Sequence, residues 1–508
     1  MNSFFVDATV PLRWGPHPVV GIPRVEFAIV RQALREKSGK AAFFKVERSG
    51  EARLLDSREM HYLVDLVEGR LRNIEDAAEQ PFLDRLGTVA RAIRDGAAAS
   101  GKEFDRVSAS YLSGRTDRRG LSYQASKALI RGLKLTGLGR SGSRETRDPL
   151  SEPGARCFLS TAGLHYLASS KRSTPLSASI STVLHDLIPI EKPHLTDRSH
   201  ARNFARDVEW MFNHCRQIIG VSNYTAQQAS LHAEGLGLEQ NPRIAVSQLG
   251  SFLKASMQGR ELEPVPSLFG RNFALYCSTI EIRKNHILLL KLWASLLPEL
   301  GDRLPKLVFC GRWGWMYDEV KAYLASHPQL AEHVVILSDM SDAQLAWLYR
   351  SASFGLYPSL AEGWGLGAAE SLDFGLPIIV SDTPSLGEAT QGLMPVCPVS
   401  DMEAWRTEVR KAATDPCWGD ALRDRIRRDY RPIDESAFAM RLLSLVQAEA
   451  PLEPSIAESP ASRPEHTAGS SAPIHAERQR LKGMSFGKHR LGRWPVRAAG
   501  SGLPASSP

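Results

Sequence analysis

From residue 157 onward, short apolar runs alternate with amphipathic segments of about a dozen residues. Runs such as "QIIGVS" (217–222), "KLVFCG" (306–311) and "HVVILS" (333–338) predict buried β-strands. Between them, segments such as "DRSHARNFARDVEWMFNHC" (197–215) have the spacing of amphipathic helices. Strands that alternate with helices of this length are typical of parallel βαβ units. The pattern therefore predicts an α/β protein built from doubly wound sheets.

The points where this alternation is interrupted predict the domain organisation. Residues 251–270 are rich in proline and charge and mark the expected joint between two domains. We expect an amino-terminal Rossmann-like domain over 1–255 and a carboxyl-terminal one over 268–435, facing each other across a cleft. An irregular basic insertion is expected at about 97–155. Residues 452–508, rich in Pro, Ala and Ser, are expected to form a disordered tail.

Composition and charge exclude several classes of protein. Of the 508 residues, 43% are hydrophobic and 23% charged, as in soluble globular proteins. The formal net charge is +7, but residues 101–150 hold +6 and residues 451–508 hold +4, so the rest is slightly acidic. This distribution argues against nucleic-acid binding. The longest apolar run (286–300) is too short to span a bilayer, and the first residues do not resemble a signal peptide, so we expect a cytoplasmic protein.

Residues 124–140 leave two interpretations open. Leu129, Ile130, Leu133 and Leu138 are interleaved with basic side chains, a pattern typical of an amphipathic patch on anionic lipid. Three glycines in the same stretch each cost a helix about 1 kcal/mol. The segment is therefore interpreted either as a solvated insertion or as a peripheral contact with the inner membrane.

The stretch "SLAEGWGLGAAESLDFGLPIIVSD" (359–382) carries the strongest candidate chemistry. Glu362 is predicted on a glycine-rich loop after a strand, and Glu370 one turn into the next helix. The first helical turn offers unsatisfied N–H groups and a partial positive charge, and glycines let a polar ligand approach them. A loop and its following helix usually direct their side chains side by side. This favours two contacts on one ligand over an acid/base pair or a helix start without chemistry.

Three further positions are candidates for the same cleft. Arg283 and Lys284 in "STIEIRKNH" (278–286) follow a strand and suit a diphosphate, one as a forked donor and one as a mobile charge. His185 ends a strand of the first domain, although a structural histidine is equally expected there. Gly21 lies at the entry to the first long helix, which is as consistent with a plain helix start as with a ligand loop.

Taken together, these residues resemble the retaining GT-B glycosyltransferases of family 4 (glycosyltransferase group 1). "EGWGLGAAE" looks like their motif of two glutamates separated by seven residues, and "STIEIRKNH" is similar to their donor-diphosphate strand end. "HDLIP", "GVSNYT" and "VVILSDMSDAQLAWLY" follow in the family's order, closest to bacterial mannosyltransferases that make surface polysaccharides. The resemblance covers 181–390 well. Two positions depart from the family's pattern: Trp364 stands where a Phe is usual, and Gly367-Ala368 stands where a proline-containing dipeptide is usual. These departures leave the sugar preference open.

The resemblance implies a role for each candidate. Glu362 would hold hydroxyls of the donor sugar, with His185 near the transferred sugar. Arg283 and Lys284 would neutralise the leaving diphosphate, so no metal is expected. The remaining donor-binding residues implied are Gly363, Trp364, Gly365, Leu366, Glu370 on the ribose, Gly21 near the phosphates, and Met340.

The implied activity is a retaining, metal-independent transfer of a hexose, with no cofactor beyond the nucleotide-sugar substrate. The first expectation is mannose from GDP-mannose, delivered to a glycan or lipid-linked saccharide in surface polysaccharide or lipopolysaccharide biosynthesis. One alternative is the same machinery with a UDP-sugar donor. Another is a non-catalytic, glycosyltransferase-like protein that binds nucleotide sugars or acts as a scaffold.

Overall fold

A computed structural model describes most of the chain. The described residues are 4–15, 19, 21–36, 41–69, 82–94, 102–113, 120–135 and 147–448. The predicted tail at 452–508 lies outside them.

The amino-terminal sheet has seven strands among the described residues. They are β1 (Phe4–Asp7), β2 (Ala41–Val46), β3 (Ala52–Leu54), β4 (Arg156–Leu159), β5 (Ser179–Leu184), β6 (Gln217–Gly220) and β7 (Arg243–Val246). Their order is β3-β2-β1-β4-β5-β6-β7, with β3 antiparallel to β2 and the other neighbours parallel. The central strands are buried on both faces, as a sheet covered by helices on both sides requires.

The carboxyl-terminal sheet is parallel throughout its described strands. These are β8 (Phe273–Cys277), β9 (Lys306–Cys310), β10 (Val334–Leu337), β11 (Phe354–Tyr357), β12 (Ile378–Ser381) and β13 (Val396–Cys397). They lie in the order β10-β9-β8-β11-β12-β13. The order reverses direction between β8 and β11, which makes that edge a topological switch point where ligands bind in such sheets. The predicted fold class, two doubly wound Rossmann-like domains, is confirmed.

Helices cover both sheets. Those of the amino-terminal region are α1 (Thr9–Trp14), α2 (Ile22–Arg35), α3 (Ser57–Val67), α4 (Phe82–Arg94), α5 (Lys102–Ser113), α6 (Leu121–Leu135), α7 (Thr161–Ser169), α8 (Ile188–Glu191), α9 (Arg198–His214), α10 (Asn223–Leu236) and α11 (Leu253–Ser256). Those that follow are α12 (His286–Leu300), α13 (Asp318–Ser326), α14 (Asp342–Ser351), α15 (Leu366–Asp373), α16 (Pro384–Ala389), α17 (Met402–Thr414), α18 (Pro416–Asp429) and α19 (Glu435–Gln447). Several begin at a side-chain cap, as at Ser222, whose hydroxyl accepts from Thr225 N.

The insertion expected to be irregular at 97–155 contains the helices α5 and α6, so that part of the prediction is wrong. Tyr123 and Ile130 of α6 are buried in the apolar core, and Leu133 packs against it. Burial of these side chains offsets the cost of Gly132 within the helix. Of the apolar face proposed for lipid, Ile130 and Leu133 therefore face the protein, Leu129 is exposed, and Leu138 lies outside the described residues. None of the described helices has the length and apolarity needed to cross a bilayer.

Within the described residues, the chain crosses between the two sheets twice. The first crossing follows Ser251, whose N–H donates to the Ile433 carbonyl at the second crossing over 2.8 Å. Beyond it, α19 returns to the amino-terminal sheet and packs beside α2, with Phe438 and Leu442 buried in the core of that sheet. The last described helix therefore stabilises the first domain rather than the second.

Candidate active site

The carboxylate of Glu362 lies between two cations at the carboxyl ends of β8 and β11. Arg283 Nη1 donates to its Oε2 over 2.8 Å, and the Lys284 ammonium contacts its Oε1. The Ser359 hydroxyl donates to the same Oε1 over 2.8 Å. Arg283 also pairs with Glu281 at 3.0 Å. Glu281, Arg283, Lys284 and Glu362 form one largely buried group, here called the Arg283 cluster.

The loop that carries Arg283 and Lys284 is fixed to the end of β11. The Tyr276 hydroxyl donates to the Lys284 carbonyl over 2.8 Å. Asn285 adopts a left-handed backbone (φ +57°), and its Nδ2 donates to the Pro358 carbonyl over 3.1 Å. Asparagine tolerates this conformation better than most residues, which explains its place at the start of α12. The two cations are therefore held rigidly against the segment that carries Glu362.

Charge and burial in the Arg283 cluster oppose one another. Burial disfavours the ionised form of Glu362, but the charges of Lys284 and Arg283 outweigh it and lower the pKa of Glu362 to about 2. Burial also opposes the charge of Arg283, yet Glu362 and Glu281 outweigh it and raise the pKa of that guanidinium. For Lys284, burial and the neighbouring Arg283 charge win and lower the pKa below its usual range. The Arg283 and Lys284 side chains are only 17% and 15% exposed, so their charges act more strongly on a bound anion than they would in bulk water.

Glu370 lies in α15, eight residues after Glu362, in a different environment. The Tyr349 hydroxyl donates to its Oε2 over 3.3 Å. Arg24 Nη1 of α2 lies 3.8 Å from its Oε1, which has no hydrogen-bond partner among the described residues. Burial raises the pKa of Glu370 to about 7, Arg24 opposes the rise, and Asp373 adds to it. This carboxyl has an oxygen available to a ligand hydroxyl.

Three glycines of the loop and of α15 lie where a side chain cannot fit. A Cβ atom at Gly363 would overlap the carbonyl oxygen of His185 in the other domain. At Gly365 it would overlap Leu386, and the residue also adopts φ +102°, which favours glycine. At Gly367 it would lie 2.8 Å from the Cys277 carbonyl oxygen. Glycine is therefore required in this loop because other parts of the protein approach its backbone closely, whether or not a ligand does so too.

His185 follows β5 and brings the first domain to the same place. Burial lowers the pKa of its imidazole to about 4, so the ring is neutral at pH 7. Its Nε2 has no hydrogen-bond partner among the described residues. Burial raises the pKa of the adjacent Asp186, while the nearby Arg283 opposes the rise. The structure therefore places His185 beside the Arg283 cluster with one ring nitrogen unused.

The remaining predicted residues lie in several different surroundings. Gly21 is the exposed cap of α2, with φ +61° and open space around it. Met340 precedes α14 and packs on the core of the carboxyl-terminal sheet. Arg24 joins these two segments, because its Nη2 contacts Asp342 Oδ1 over 2.9 Å. Leu366 starts α15, and Trp364 is buried with apolar residues of the amino-terminal domain.

Sequence reasoning missed the groups that hold these side chains in place. Glu281 and Ser359 stand within three residues of the side chains they contact, so their proximity in the sequence was an available signal. Tyr349 and Asp342 are separated from their partners by 21 and 318 positions, and no local pattern indicates those pairs. Among the described residues, no group of three or more His, Cys, Asp or Glu side chains is arranged to hold a metal ion.

Two solved structures share the architecture of this chain. Sucrose-phosphate synthase from Thermosynechococcus elongatus aligns with a TM-score of 0.51 at 14% identity, over 88% of this chain and 99% of that one. An α,α-trehalose 6-phosphate synthase from Burkholderia multivorans aligns with a TM-score of 0.50 at 13% identity, over the same shares of the two chains. At these identities the likeness shows the fold alone.

Two mannosyltransferases are similar to part of this chain. The serotype-specific mannosyltransferase WbdA of Escherichia coli is 29% identical over 218 residues, 41% of this chain and 26% of WbdA. The O-antigen chain mannosyltransferase B of Escherichia coli is 27% identical over 243 residues, 47% of this chain and 62% of that enzyme. The chain thus matches about a quarter of the first relative and under two thirds of the second. Residues 260–431 match the family of glycosyl transferases group 1. They form a group 1 glycosyltransferase domain, and the resemblance to bacterial mannosyltransferases of this group is confirmed.

Proposed function

We propose that this protein is a retaining, metal-independent mannosyltransferase that uses GDP-mannose as donor. The observation that carries the proposal is the Arg283 cluster, where two partly buried cations and the buried Glu362 meet at the switch point of the carboxyl-terminal sheet. Adjacent cations held in a largely buried site suit a diphosphate whose negative charge grows as it leaves.

The proposed reaction transfers the hexose in one balanced step. The bond between the sugar's anomeric carbon and the diphosphate oxygen breaks, and its electron pair leaves with the diphosphate. The acceptor hydroxyl oxygen bonds to the anomeric carbon on the same face, and its proton passes to the leaving phosphate oxygen. Arg283 and Lys284 stabilise the diphosphate, and Glu362 holds hydroxyls of the sugar. Glu370 accepts from a ribose hydroxyl through the oxygen that no described residue occupies.

The choice of donor and acceptor rests on the named relatives. Both are mannosyltransferases by name, one serotype-specific and one an O-antigen chain enzyme. We therefore propose mannose as the transferred sugar and a glycan or lipid-linked saccharide as the acceptor, in surface polysaccharide biosynthesis. We also propose that the protein acts at the cytoplasmic face of a membrane, a location that suits a lipid-linked acceptor.

A donor screen tests the proposal. Purified full-length protein is incubated with GDP-mannose, GDP-fucose, UDP-glucose and UDP-N-acetylglucosamine, and the released nucleoside diphosphate is measured with and without a mannoside acceptor and EDTA. We expect release from GDP-mannose only, unchanged by EDTA, and an α-linked product by NMR from the α-linked donor. Release from a UDP-sugar instead would overturn the donor assignment, and a β-linked product would overturn retention.

A matched pair of lysine variants tests whether transfer depends on Lys284. Lys284→Met removes a buried cation of the Arg283 cluster. Lys291→Met removes a half-exposed lysine on α12 that contacts Glu319 at 3.4 Å. We expect transfer to fall at least about 100-fold in the first variant, as for loss of a group that stabilises developing charge, and to be unchanged in the second. A wild-type protein that binds GDP-mannose and releases no GDP would support the scaffold alternative.

A further inference from the structure

All four backbone carbonyls of residues 360–363 accept a hydrogen bond from a side chain. The donors are Lys192 Nζ to Leu360 O (3.1 Å), Arg283 Nη1 to Ala361 O (2.9 Å), Ser385 Oγ to Glu362 O (2.7 Å), and both Ser222 Oγ (2.7 Å) and Thr225 Oγ1 (3.1 Å) to Gly363 O. A loop of four residues with every carbonyl held in this way has little freedom to turn its peptide planes.

The donors come from both domains in a regular arrangement. The two middle carbonyls are held by Arg283 and Ser385 of the carboxyl-terminal domain. The two end carbonyls are held by the amino-terminal domain, through Lys192 after α8 and through Ser222 and Thr225 at the start of α10. The orientation of the loop's first and last peptide planes therefore depends on contact with the other domain.

The peptide planes also fix the direction of the N–H groups. In a trans peptide the carbonyl of one residue and the N–H of the next point in opposite directions. Carbonyls 360–363 are occupied by protein donors, so the N–H groups of residues 361–364 point away from those donors. These four N–H groups donate to no protein atom within the described part of the chain. They form a short row of oriented donors next to the Glu362 carboxylate, here called the amide row.

We propose that Lys192, Ser222 and Thr225 are positioning residues that orient the amide row toward the oxygens of the donor hexose. This inference rests on the proposed transferase function. The nucleotide end of the donor is assigned to groups of the carboxyl-terminal domain, namely Arg283, Lys284 and Glu370. The contacts of Lys192, Ser222 and Thr225 thus complete the sugar end of the site and do not touch the groups assigned to the diphosphate.

The turn that holds Gly363 has a second contact that provides a control. Glu388 of α16 accepts from Asn223 N and Nδ2, each over 2.8 Å, and from Tyr224 N over 2.7 Å. This contact joins the same two domains but does not touch the loop of residues 360–363. Asn223→Ala therefore loosens the interface at one side-chain contact and leaves the carbonyl of Gly363 held.

The experiment compares Thr225→Val, Lys192→Met and their combination with Thr225→Ser and Lys192→Arg, which keep a donor. Ser222 is left intact because its hydroxyl also caps α10. For the combined variant we expect kcat of transfer to fall about tenfold, the scale of one or two lost hydrogen bonds. The affinity for nucleoside diphosphate, measured by calorimetry, stays within about twofold because that end of the site is untouched. The Ser and Arg variants and Asn223→Ala keep the wild-type kcat.

Hydrogen exchange provides a readout that does not require activity. In full-length protein without donor, peptides that span residues 358–368 are expected to exchange faster in the combined variant than in wild type, Asn223→Ala or the conservative variants. Unchanged exchange and kcat in the combined variant would overturn the proposal, as would equal changes in Asn223→Ala. If the wild type turns over no donor, the proposed function fails, while the exchange data still decide whether these residues orient the loop.

Discussion

The surroundings of Glu362 and Glu370 differ although the two residues are eight positions apart and almost equally buried, at 5% and 4% exposure. Glu362 lies between Lys284 and Arg283 of its own domain. Glu370 has one hydroxyl donor, from Tyr349, and a single cation at 3.8 Å contributed by the other domain. Burial raises the pKa of both carboxyls, but the neighbouring cations reverse the shift for Glu362 only, leaving pKa values of about 2 and about 7.

The comparison shows that the two carboxyls are suited to different tasks. Glu362 is an anion at every physiological pH and has a geometry set by three donors, as a group that orients a sugar at the reacting end requires. Glu370 titrates near neutrality and keeps one oxygen without a protein donor, as a group that completes its hydrogen bonds on a ligand hydroxyl would. A bound ribose hydroxyl would stabilise its ionised form and so lower its pKa.

The largest effect is expected for Glu362→Gln. The amide cannot hold two cations as the carboxylate does, so transfer should fall at least about 100-fold, as for other groups that stabilise charge in a transition state. Affinity for nucleoside diphosphate should stay the same or rise, because Lys284 and Arg283 lose a competing anion. Steady-state kinetics and calorimetry measure the two quantities.

Glu281→Gln is the matched control for this variant. Glu281 is buried in the same cluster and pairs with Arg283, but among the described residues its carboxylate forms no ion pair with Lys284, and no contact with the sugar is assigned to it. A similar loss of melting temperature in both variants, with transfer lost only in Glu362→Gln, separates chemistry from stability. Equal transfer in Glu362→Gln and wild type would contradict the assignment of Glu362.

A second large effect is expected for Gly363→Ala, which disturbs Glu362 without changing its charge. The new methyl group would overlap the His185 carbonyl, and backbone must move to relieve the overlap. We expect transfer to fall about 100-fold, since small displacements of a positioned group cost that much. Gly387→Ala in α16 is the control, because nothing lies within 4 Å of its added methyl. If transfer is retained in Gly363→Ala, close contact between the domains at this loop is not needed.

The regions that could be predicted from sequence are those set by local pattern and sheet topology. Arg283 and Glu362 are 79 positions apart, yet each follows a buried parallel strand, and β8 and β11 are neighbours in the sheet. The proximity of these two side chains therefore follows from the alternation of strands and helices along the chain. The contacts of Arg24 with α14, and of Ser222 with Gly363, depend on how two domains dock, which no local pattern encodes. The sequence pattern did not predict helix α6, because burial of Ile130 in the core outweighs the free-energy cost of a glycine within the helix.

An intermediate effect is expected for Glu370→Gln, and it depends on pH. The folded protein holds the proton of Glu370 more tightly than the unfolded chain does. The resulting stability is fully present below pH 4.5 and is lost as the pH rises to about 7. The amide has no such proton, so the variant should gain on the order of 3 kcal/mol relative to wild type between pH 4.5 and 8. Nucleoside diphosphate affinity at pH 8 should fall about tenfold through the lost charged hydrogen bond.

Melting temperatures of both proteins across this pH range test the first expectation. The difference between them is the relevant quantity, because Glu26, whose pKa burial raises to about 8, titrates in both proteins alike. A difference that does not change with pH would show that the folded protein binds no more protons at Glu370 than the unfolded chain does, so that this carboxyl is ionised throughout the range. Calorimetric titration with GDP tests the second expectation.

The smallest effect is expected for Arg24→Gln, which changes the setting of Glu370 and leaves the Arg283 cluster intact. Arg24 favours the ionised form of Glu370 from 3.8 Å, so its removal should raise the pKa of that carboxyl further and leave less carboxylate at pH 7. Affinity for nucleoside diphosphate should fall about threefold at pH 7 and recover at pH 9, where both proteins carry the ionised form. Arg24→Lys keeps the charge and should stay close to wild type. A loss of affinity that is equal at both pH values would mean that Arg24 acts through its bond to Asp342, by holding α2 and α14 together, and not through the charge of Glu370.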